Sequence, residues 1–528
     1  MNSLILRPPR VLGEALAFAA KKHPSKTAII AKDVEYPYLD LYSSAEKLAR
    51  TFVTAGILKG DRIAIYMDNS WEATVSVYAV SLAGAVFLVI NPQTKSDKLK
   101  YILDDSEAKI LISATVHRKE YEPAVADSRH ITNVIVNGDL SASQKDDQLH
   151  WSTFDDALEN TDENAKLPLV IPNDLAALIY TSGSTGFPKG VMMTHQAMVF
   201  TCGSLVEYLR LTPNERIMLL LPLAFDYGLY QLLMSVTIGA TLIVEQSFIF
   251  IASVYKNINK YKPTVFPGVP TIYAMMIASH KETGLSFDFV EKITNTAAML
   301  PAESIPYLQK IFPNALIFKM YGLTECKRVC YLEPELIDIK PQSVGKAIPG
   351  TEVFLLTPNG NPVPAGQPGI LHVRGPHVML GYLKKENLTN EMLRDGKLPG
   401  EKILCSNDWF KMDEDGDLYF LGRNDDIIKT RGEKVSPVEV ENVIYKIPEV
   451  KEVAVMGVPD ALMGESITVF ITLHGVASLT EKEIKRECMK HLESFMIPQN
   501  VIFMPQMPKS SNGKIDKHEL RKLFATPA

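Results

Sequence analysis

The chain has 528 residues, of which 46% are apolar and 22% charged, with a formal net charge of -6. That length exceeds one ordinary core, so a large domain with a smaller companion is expected. The charge supplies no global basic field, which excludes general electrostatic attraction to nucleic acid or anionic membrane as the basis of function. The five cysteines, Cys202, Cys326, Cys330, Cys405 and Cys488, are scattered and odd in number. They suggest no disulfide framework, and a reducing, cytoplasmic setting is expected. Cys326 and Cys330 lack the second Cys or His pair that a zinc site needs.

Near the N-terminus, the apolar run 12–20 is short and contains Glu14, which argues against a signal peptide. Strand-like β-branched runs then recur at 62–67, 86–90, 109–113, 133–136, 175–180, 217–221 and 240–244. Helix-like stretches separate many of them, the pattern of an α/β protein with largely parallel sheets. The longest uncharged run, 74–91, approaches the lower limit of a membrane span. It divides better into a buried helix over 71–82, a break at Gly84 and a buried strand over 86–90, so no membrane span is expected. The polar segment 141–147 reads as a surface loop.

From Gly345 the texture becomes rich in Pro and Gly, with strands expected at 352–356 and 369–373, a small β-rich subdomain. The acidic run 413–417 superficially resembles a calcium loop, but Asn424 stands where the closing Glu belongs, so it reads as a turn before a strand at 418–421. A helix at 438–447, strands at 454–459 and 466–473, and a helix at 481–492 form a last unit. The expected division is 1–422 and 423–528.

An apolar strand at 175–180 runs directly into Thr181-Ser182-Gly183-Ser184-Thr185-Gly186-Phe187-Pro188-Lys189-Gly190. Glycines let backbone N–H groups close around phosphate oxygens, the hydroxyls can donate further hydrogen bonds, and Lys189 adds a point charge. This is not a Walker A loop, because Lys189 lies between Pro188 and Gly190.

The segment resembles the phosphate loop of the adenylate-forming superfamily, which comprises acyl-CoA synthetases, peptide-synthetase adenylation domains and beetle luciferases. Further motifs follow in that family's order over nearly the whole chain. Tyr321-Gly322-Leu323-Thr324-Glu325 resembles its second core motif. The resemblance implies that Tyr321 lies against adenine, Thr324 contacts the phosphate at the reacting centre and Glu325 holds Mg²⁺. Thr296, Ala297 and Ala298 are similar to the adenine-side segment. Asp408 falls where the family keeps a Thr-Gly-Asp triplet, implying a ribose-binding carboxylate. Here the triplet reads Ser406-Asn407-Asp408, and Asn tolerates left-handed geometry better than most residues.

The segment from Gly422 to Pro437 resembles the family hinge. It implies that Arg423 contacts ribose or phosphate, that a small mobile α+β C-terminal domain turns about Asp425, and that Lys429 and Gly432 line the thiol's approach. The segment around Lys514 resembles the one carrying the family's catalytic lysine. Phe225, Asp226, Tyr227 and Gly228 match the segment beside the acyl pocket, completed by 294–297 and 319–321. Asp226 has two readings: a partner for a substrate ammonium, or a carboxylate turned aside and hydrogen-bonded within the fold. His195, after the phosphate loop, reads as structural.

The resemblance implies activation of a small-molecule carboxylic acid by ATP, with Mg²⁺, to an acyl-adenylate. Transfer to CoA, or to the phosphopantetheine of a separate acyl or peptidyl carrier protein, would follow. No carrier segment follows Lys514, so a stand-alone enzyme of acyl-CoA synthetase type is expected, with no nucleic-acid partner. The alternatives are a stand-alone amino-acid- or acyl-adenylating enzyme that loads a carrier, luciferase-like oxidation of the adenylate, and an inactive acyl or nucleotide sensor.

Overall fold

The computed structural model describes residues 8–140, 149–181, 188–246, 248, 251–296, 298–424, 426–430, 433–460, 464–475, 477–492, 494–510 and 513–525. The expected loop at 141–147 lies outside them. Among the described residues the strands form four sheets.

An eight-stranded sheet runs in the order Gly381–Tyr382, Lys189–Thr194, Leu175–Thr181, Val86–Val89, Arg62–Tyr66, Ala108–Ala114, Asn133–Asn137 and His150–Thr153. Alternating side chains give it two buried faces. Ile63, Ile65, Phe87 and Val89 join the main core, whereas Ala64, Tyr66, Val86 and Leu88 join a second core with Leu99, Ile102, Leu103 and Tyr121. The helix Trp71–Leu82 belongs to the main core and is buried along most of its length, as the absence of charge after Glu72 predicts. Ser70 caps it by accepting the Ala73 N–H at 3.1 Å. No described helix is long and apolar enough to cross a membrane.

A nine-stranded sheet has the order Lys346–Ala347, Cys330–Leu332, Leu316–Tyr321, Lys292–Asn295, Val265–Gly268, Arg216–Leu219, Thr241–Val244, Thr27–Ala31 and Val34–Pro37. Its central pairs are parallel and its edge pairs antiparallel. The expected parallel α/β core is therefore present, with antiparallel margins. At the head of this sheet Lys292 Nζ donates to Glu215 Oε1 at 2.9 Å, and both side chains are buried. Thr264 donates to the other Glu215 oxygen at 2.6 Å.

The β-rich unit is antiparallel, with Glu352–Leu356, Pro368–Arg374, Lys402–Met412 and Leu393–Asp395 in order and Leu418–Arg423 added to Lys402–Met412. The acidic run before Leu418–Arg423 is a turn, as expected. The Lys340 ammonium fills it, donating to Asp413, Asp415 and Asp417 at 2.8, 2.8 and 2.7 Å. The fourth sheet contains Glu433–Val435, Ile428–Thr430, Gly464–Leu473 and Val450–Asp460, with Asn500–Phe503 parallel to Gly464–Leu473. Its core includes Val440, Val455, Val469, Ile471 and Ile484. The fold is thus a large mixed α/β body with a small α+β unit at its C-terminal end.

Breaking a buried ion pair from one side strands the other charge. Lys292→Met is therefore expected to lower unfolding stability by about 3 kcal/mol. Chemical denaturation checks this, and Glu215→Gln in the same background should recover part of the loss.

Candidate active site

Two strand pairings and one helix start bring the candidate residues together. The first concerns Asp408. Strand Lys402–Met412 is interrupted by Asn407 at φ 57° and by a register shift between Trp409 and Phe410. Asn enters left-handed geometry more easily than most residues, which is why it can replace glycine there. Ser406 Oγ steadies the bend by accepting the Asp408 N–H at 3.1 Å and donating to Leu371 O at 2.8 Å. Across the ladder Asp408 faces Arg423. The Tyr321 hydroxyl donates to Asp408 Oδ2, while Oδ1 is buried without a hydrogen-bond partner, 3.6 Å from Arg423 Nε. Burial pushes the Asp408 pKa up to about 6, against the lowering effects of Tyr321 and Arg423; Glu325 and Asp426 add to the rise. The free oxygen suits a ligand that donates hydroxyl protons.

The second pairing concerns Lys189 and Glu325. Strand Lys189–Thr194 pairs with Gly381–Tyr382, placing Tyr382 opposite Val191. Lys189 Nζ donates to the Tyr382 hydroxyl at 2.7 Å and lies 3.9 Å from its ring centroid. The same hydroxyl donates to Glu325 Oε1 at 2.5 Å, and Lys189 lies 3.5 Å from that oxygen. Burial, with the Glu325 charge behind it, pushes the Tyr382 pKa well up, so the phenol stays protonated and can bridge cation and carboxylate. Glu325 sits in a tight turn: a Cβ on Gly322 would stand 2.2 Å from Lys327 O. Only glycine permits that approach.

The third arrangement forms the acyl side. Helix Asp226–Ile238 begins after Phe225. A Cβ on Gly228 would meet Pro222 O at 2.3 Å, so glycine is needed where this helix crosses the incoming chain. The Tyr227 hydroxyl donates to Thr294 O at 2.7 Å. Asp226 Oδ2 accepts from Arg328 Nη1 at 3.3 Å, which follows the second reading of Asp226, a carboxylate bonded within the fold. Thr296 is buried and Ala298 exposed nearby in sequence, whereas Lys319 turns its ammonium to Pro341 O.

Lys514 reaches this cleft from the small C-terminal unit. It sits on a hairpin closed by Ser510 N–H to Lys514 O at 2.8 Å and Gly513 N–H to Ser510 O at 2.9 Å. Gly513, at φ 74°, is seated against Thr271 of the large body. The Lys514 side chain touches solvent, yet protein crowds around it, as in a wet cleft between two units. That desolvation lowers its pKa, partly offset by Asp226, with Arg423 lowering it further and Asp408 opposing.

Thr181, Lys189, Thr296, Tyr321, Gly322, Thr324, Glu325, Asp408, Arg423, Lys514 and Phe225 to Gly228 are all described. Ser182, Gly183, Ser184, Thr185, Gly186, Ala297, Asp425 and Gly432 lie outside the described residues. Lys429 is exposed, its N–H donating to Glu465 at 2.6 Å. His195 is buried and accepts the Leu12 N–H at 3.3 Å. Burial lowers its pKa to about 4, so it fits the structural reading. Sequence reasoning missed Tyr382, Lys327 and Arg328. A Lys-Arg pair two residues after Glu325 was a usable signal for the last two; Tyr382 needed the strand pairing.

A family profile described as "AMP-binding enzyme" matches residues 16–383, and one described as "AMP-binding enzyme C-terminal domain" matches residues 439–514. The chain belongs to the AMP-binding enzyme family. It is 29% identical to a long-chain-fatty-acid–CoA ligase of Bacillus subtilis (strain 168), over 97% of this chain and 94% of that protein. It is 30% identical to a feruloyl-CoA synthase of an Amycolatopsis species, over 96% of this chain and 97% of that protein. Among solved structures it resembles the anthranilate CoA ligase AuaEII in complex with anthranoyl-AMP. The TM-score is 0.89 at 25% identity, over 99% of this chain and 100% of that one.

In an AMP-binding enzyme the unpaired Asp408 oxygen has a direct consequence. Its pKa is raised, so the carboxyl takes up a proton as pH falls through about 6 and can then accept fewer hydroxyl protons. The KM for ATP is expected to rise about 10-fold per pH unit below that point, and Asp408→Asn should flatten this dependence. Steady-state kinetics between pH 5 and 8 check it. Tyr382→Phe removes one bond to Glu325 and one from Lys189. It is expected to lower kcat/KM for ATP by about 10- to 100-fold, the effect of about 1–3 kcal/mol.

Proposed function

We propose that this AMP-binding enzyme joins a carboxylic acid to ATP, giving an acyl-adenylate and pyrophosphate, and then transfers the acyl group to CoA. The observation that carries this reading is that Lys514, on the C-terminal hairpin whose Gly513 is seated against Thr271, lies within electrostatic reach of Asp226, Arg423 and Asp408. In the first half-reaction a substrate carboxylate oxygen attacks the α-phosphorus, and the bond to the pyrophosphate oxygen breaks. In the second, a thiol sulfur attacks the acyl carbon, the bond to the AMP oxygen breaks, and the thiol proton passes to solvent.

Asp408 accepts the ribose hydroxyls through its unpaired Oδ1. Tyr321 and 296–298 frame the adenine, and Arg423 faces ribose or phosphate. Thr181, the loop 182–186 and Lys189 hold the phosphates, with Thr324 at the reacting phosphate. Lys514 places an ammonium where negative charge develops, which is the most efficient use of a mobile cation. Glu325 suits Mg²⁺, because one buried carboxylate beside a phosphate site matches an ion held mainly by phosphates and water. When bound, the ion would draw charge from the phosphate oxygens and ease the approach of an anionic nucleophile. The division at 422/423, the turning of the small unit about Asp425, and a thiol route past Lys429 and Gly432 belong to the same proposal. So does a cytoplasmic setting, in keeping with five buried free cysteines.

An acid panel with CoA supplied or withheld tests the reading. Acid-dependent exchange of labelled pyrophosphate into ATP, and AMP release that rises with CoA, are the expected results. Exchange without CoA-dependent release would favour a carrier protein as acceptor, and ATP binding without exchange would favour a sensor. Lys514→Ala should lower exchange about 100-fold or more while ATP affinity, read by calorimetry, changes much less.

A further inference from the structure

The turn after Glu325 carries two cations that the proposed chemistry does not use. Lys327 is wholly buried, with its Nζ lacking a hydrogen-bond partner. Its backbone is held at φ 65°, its N–H donating to Leu323 O at 2.7 Å. Its ammonium lies within electrostatic reach of Asp226 and Glu325. Arg328 is also buried. Its Nη1 donates to Asp226 Oδ2 at 3.3 Å and to Lys327 O at 2.7 Å, and its guanidinium carbon stands 5.1 Å from the Tyr227 ring centroid. Its Nε has no partner.

The charges on this wall can be paired off. Lys189 balances Glu325 at 3.5 Å, and Arg328 balances Asp226 at 3.3 Å. Lys327 remains as a surplus buried cation. An unpaired buried ammonium is costly, whereas an apolar side chain there would be inexpensive beside a hydrocarbon substrate. The wall is equally unsuited to a substrate ammonium, since Asp226 already has Arg328 as its cation and Lys327 adds a further positive charge. An anionic group would find Lys327 Nζ and Arg328 Nε, both lacking acceptors.

We infer that the acid activated by this enzyme carries a second carboxylate, remote from the one adenylated, and that Lys327 and Arg328 receive it at the acyl-pocket wall formed by Asp226 and Tyr227. The inference rests on the acid-activating reading above and names its substrate class. Lys327 and Arg328 are specificity residues in this account, and the adenylation chemistry remains with Lys514, Thr324 and Glu325.

The test compares, on the unaltered protein, dicarboxylic acids with their monomethyl esters, the unsubstituted monocarboxylic acids and the α-amino acids, across short, medium and long chains. CoA-dependent AMP release is the readout. The expected result is that one dicarboxylic acid exceeds its own half-ester by about 100-fold or more in kcat/KM, because the ester leaves buried donors unpaired. Lys327→Met should shrink that ratio, and Arg328→Lys should retain more of it than Arg328→Leu. ATP binding by calorimetry shows that each variant is folded. A half-ester or monocarboxylic acid that matches or exceeds the dicarboxylic acid overturns this inference alone, as does preference for an amino acid. Absence of AMP release with every acid overturns the activation reading and the inference together.

Discussion

A carboxylate taken out of water must be given protons to accept, and Asp408 is given them on one oxygen only. Tyr321 serves Oδ2, while Oδ1 is buried and unserved, with Arg423 just beyond hydrogen-bond distance. The fold sustains this cost through backbone geometry: a left-handed Asn407, a shifted register and the Ser406 hydroxyl together fix where the carboxylate points. The cost is largest when the site is empty and falls when hydroxyl donors arrive. That difference favours a bound group that donates hydroxyl protons, since the donors replace what burial removed.

The same logic governs the neighbouring groups. Lys189 and Glu325 are far apart in sequence and meet through Tyr382, whose position follows from the pairing of Gly381–Tyr382 with Lys189–Thr194. A phenol kept neutral by burial can donate to a carboxylate while accepting from an ammonium, which neither charged group could do for itself. Bridging holds the two charges close without allowing them to collapse onto one another. On the proposed function, both remain available to a polyphosphate and its counterion.

Much of this was legible in the chain because the residues lie in short contiguous motifs. The buried helix Trp71–Leu82 followed from an uncharged run ended by glycine, and the left-handed Asn407 followed from the residue types that tolerate that geometry. The antiparallel margins of the large sheet were not legible, because short edge strands such as Lys346–Ala347 carry almost no periodic signal. Tyr382 was invisible for a different reason: its role depends on a partner strand nearly two hundred residues away. Arg328 explains why Asp226 resisted interpretation. A carboxylate's meaning depends on its counterion, and that counterion sits about a hundred positions later in the chain.

Arg423 makes the Lys514 charge harder to hold, while Arg423 itself, against its own burial, is held charged by Asp408 and Asp426. Without an anion between them, their repulsion and the desolvation of Lys514 oppose the docked arrangement; Asp226 and Asp408 offset this only in part. A bound triphosphate would reverse the balance, because its charge exceeds that of the two carboxylates. Departure of pyrophosphate would remove most of that charge and leave the adenylate's single phosphate to hold Lys514. On the proposed reaction, the electrostatic grip on the C-terminal unit is therefore strongest while the acid is being activated and weakest when the thiol must enter. Gly513 is seated closely against Thr271, so on the proposed turning of the small unit this seat and the charge in the cleft are released together.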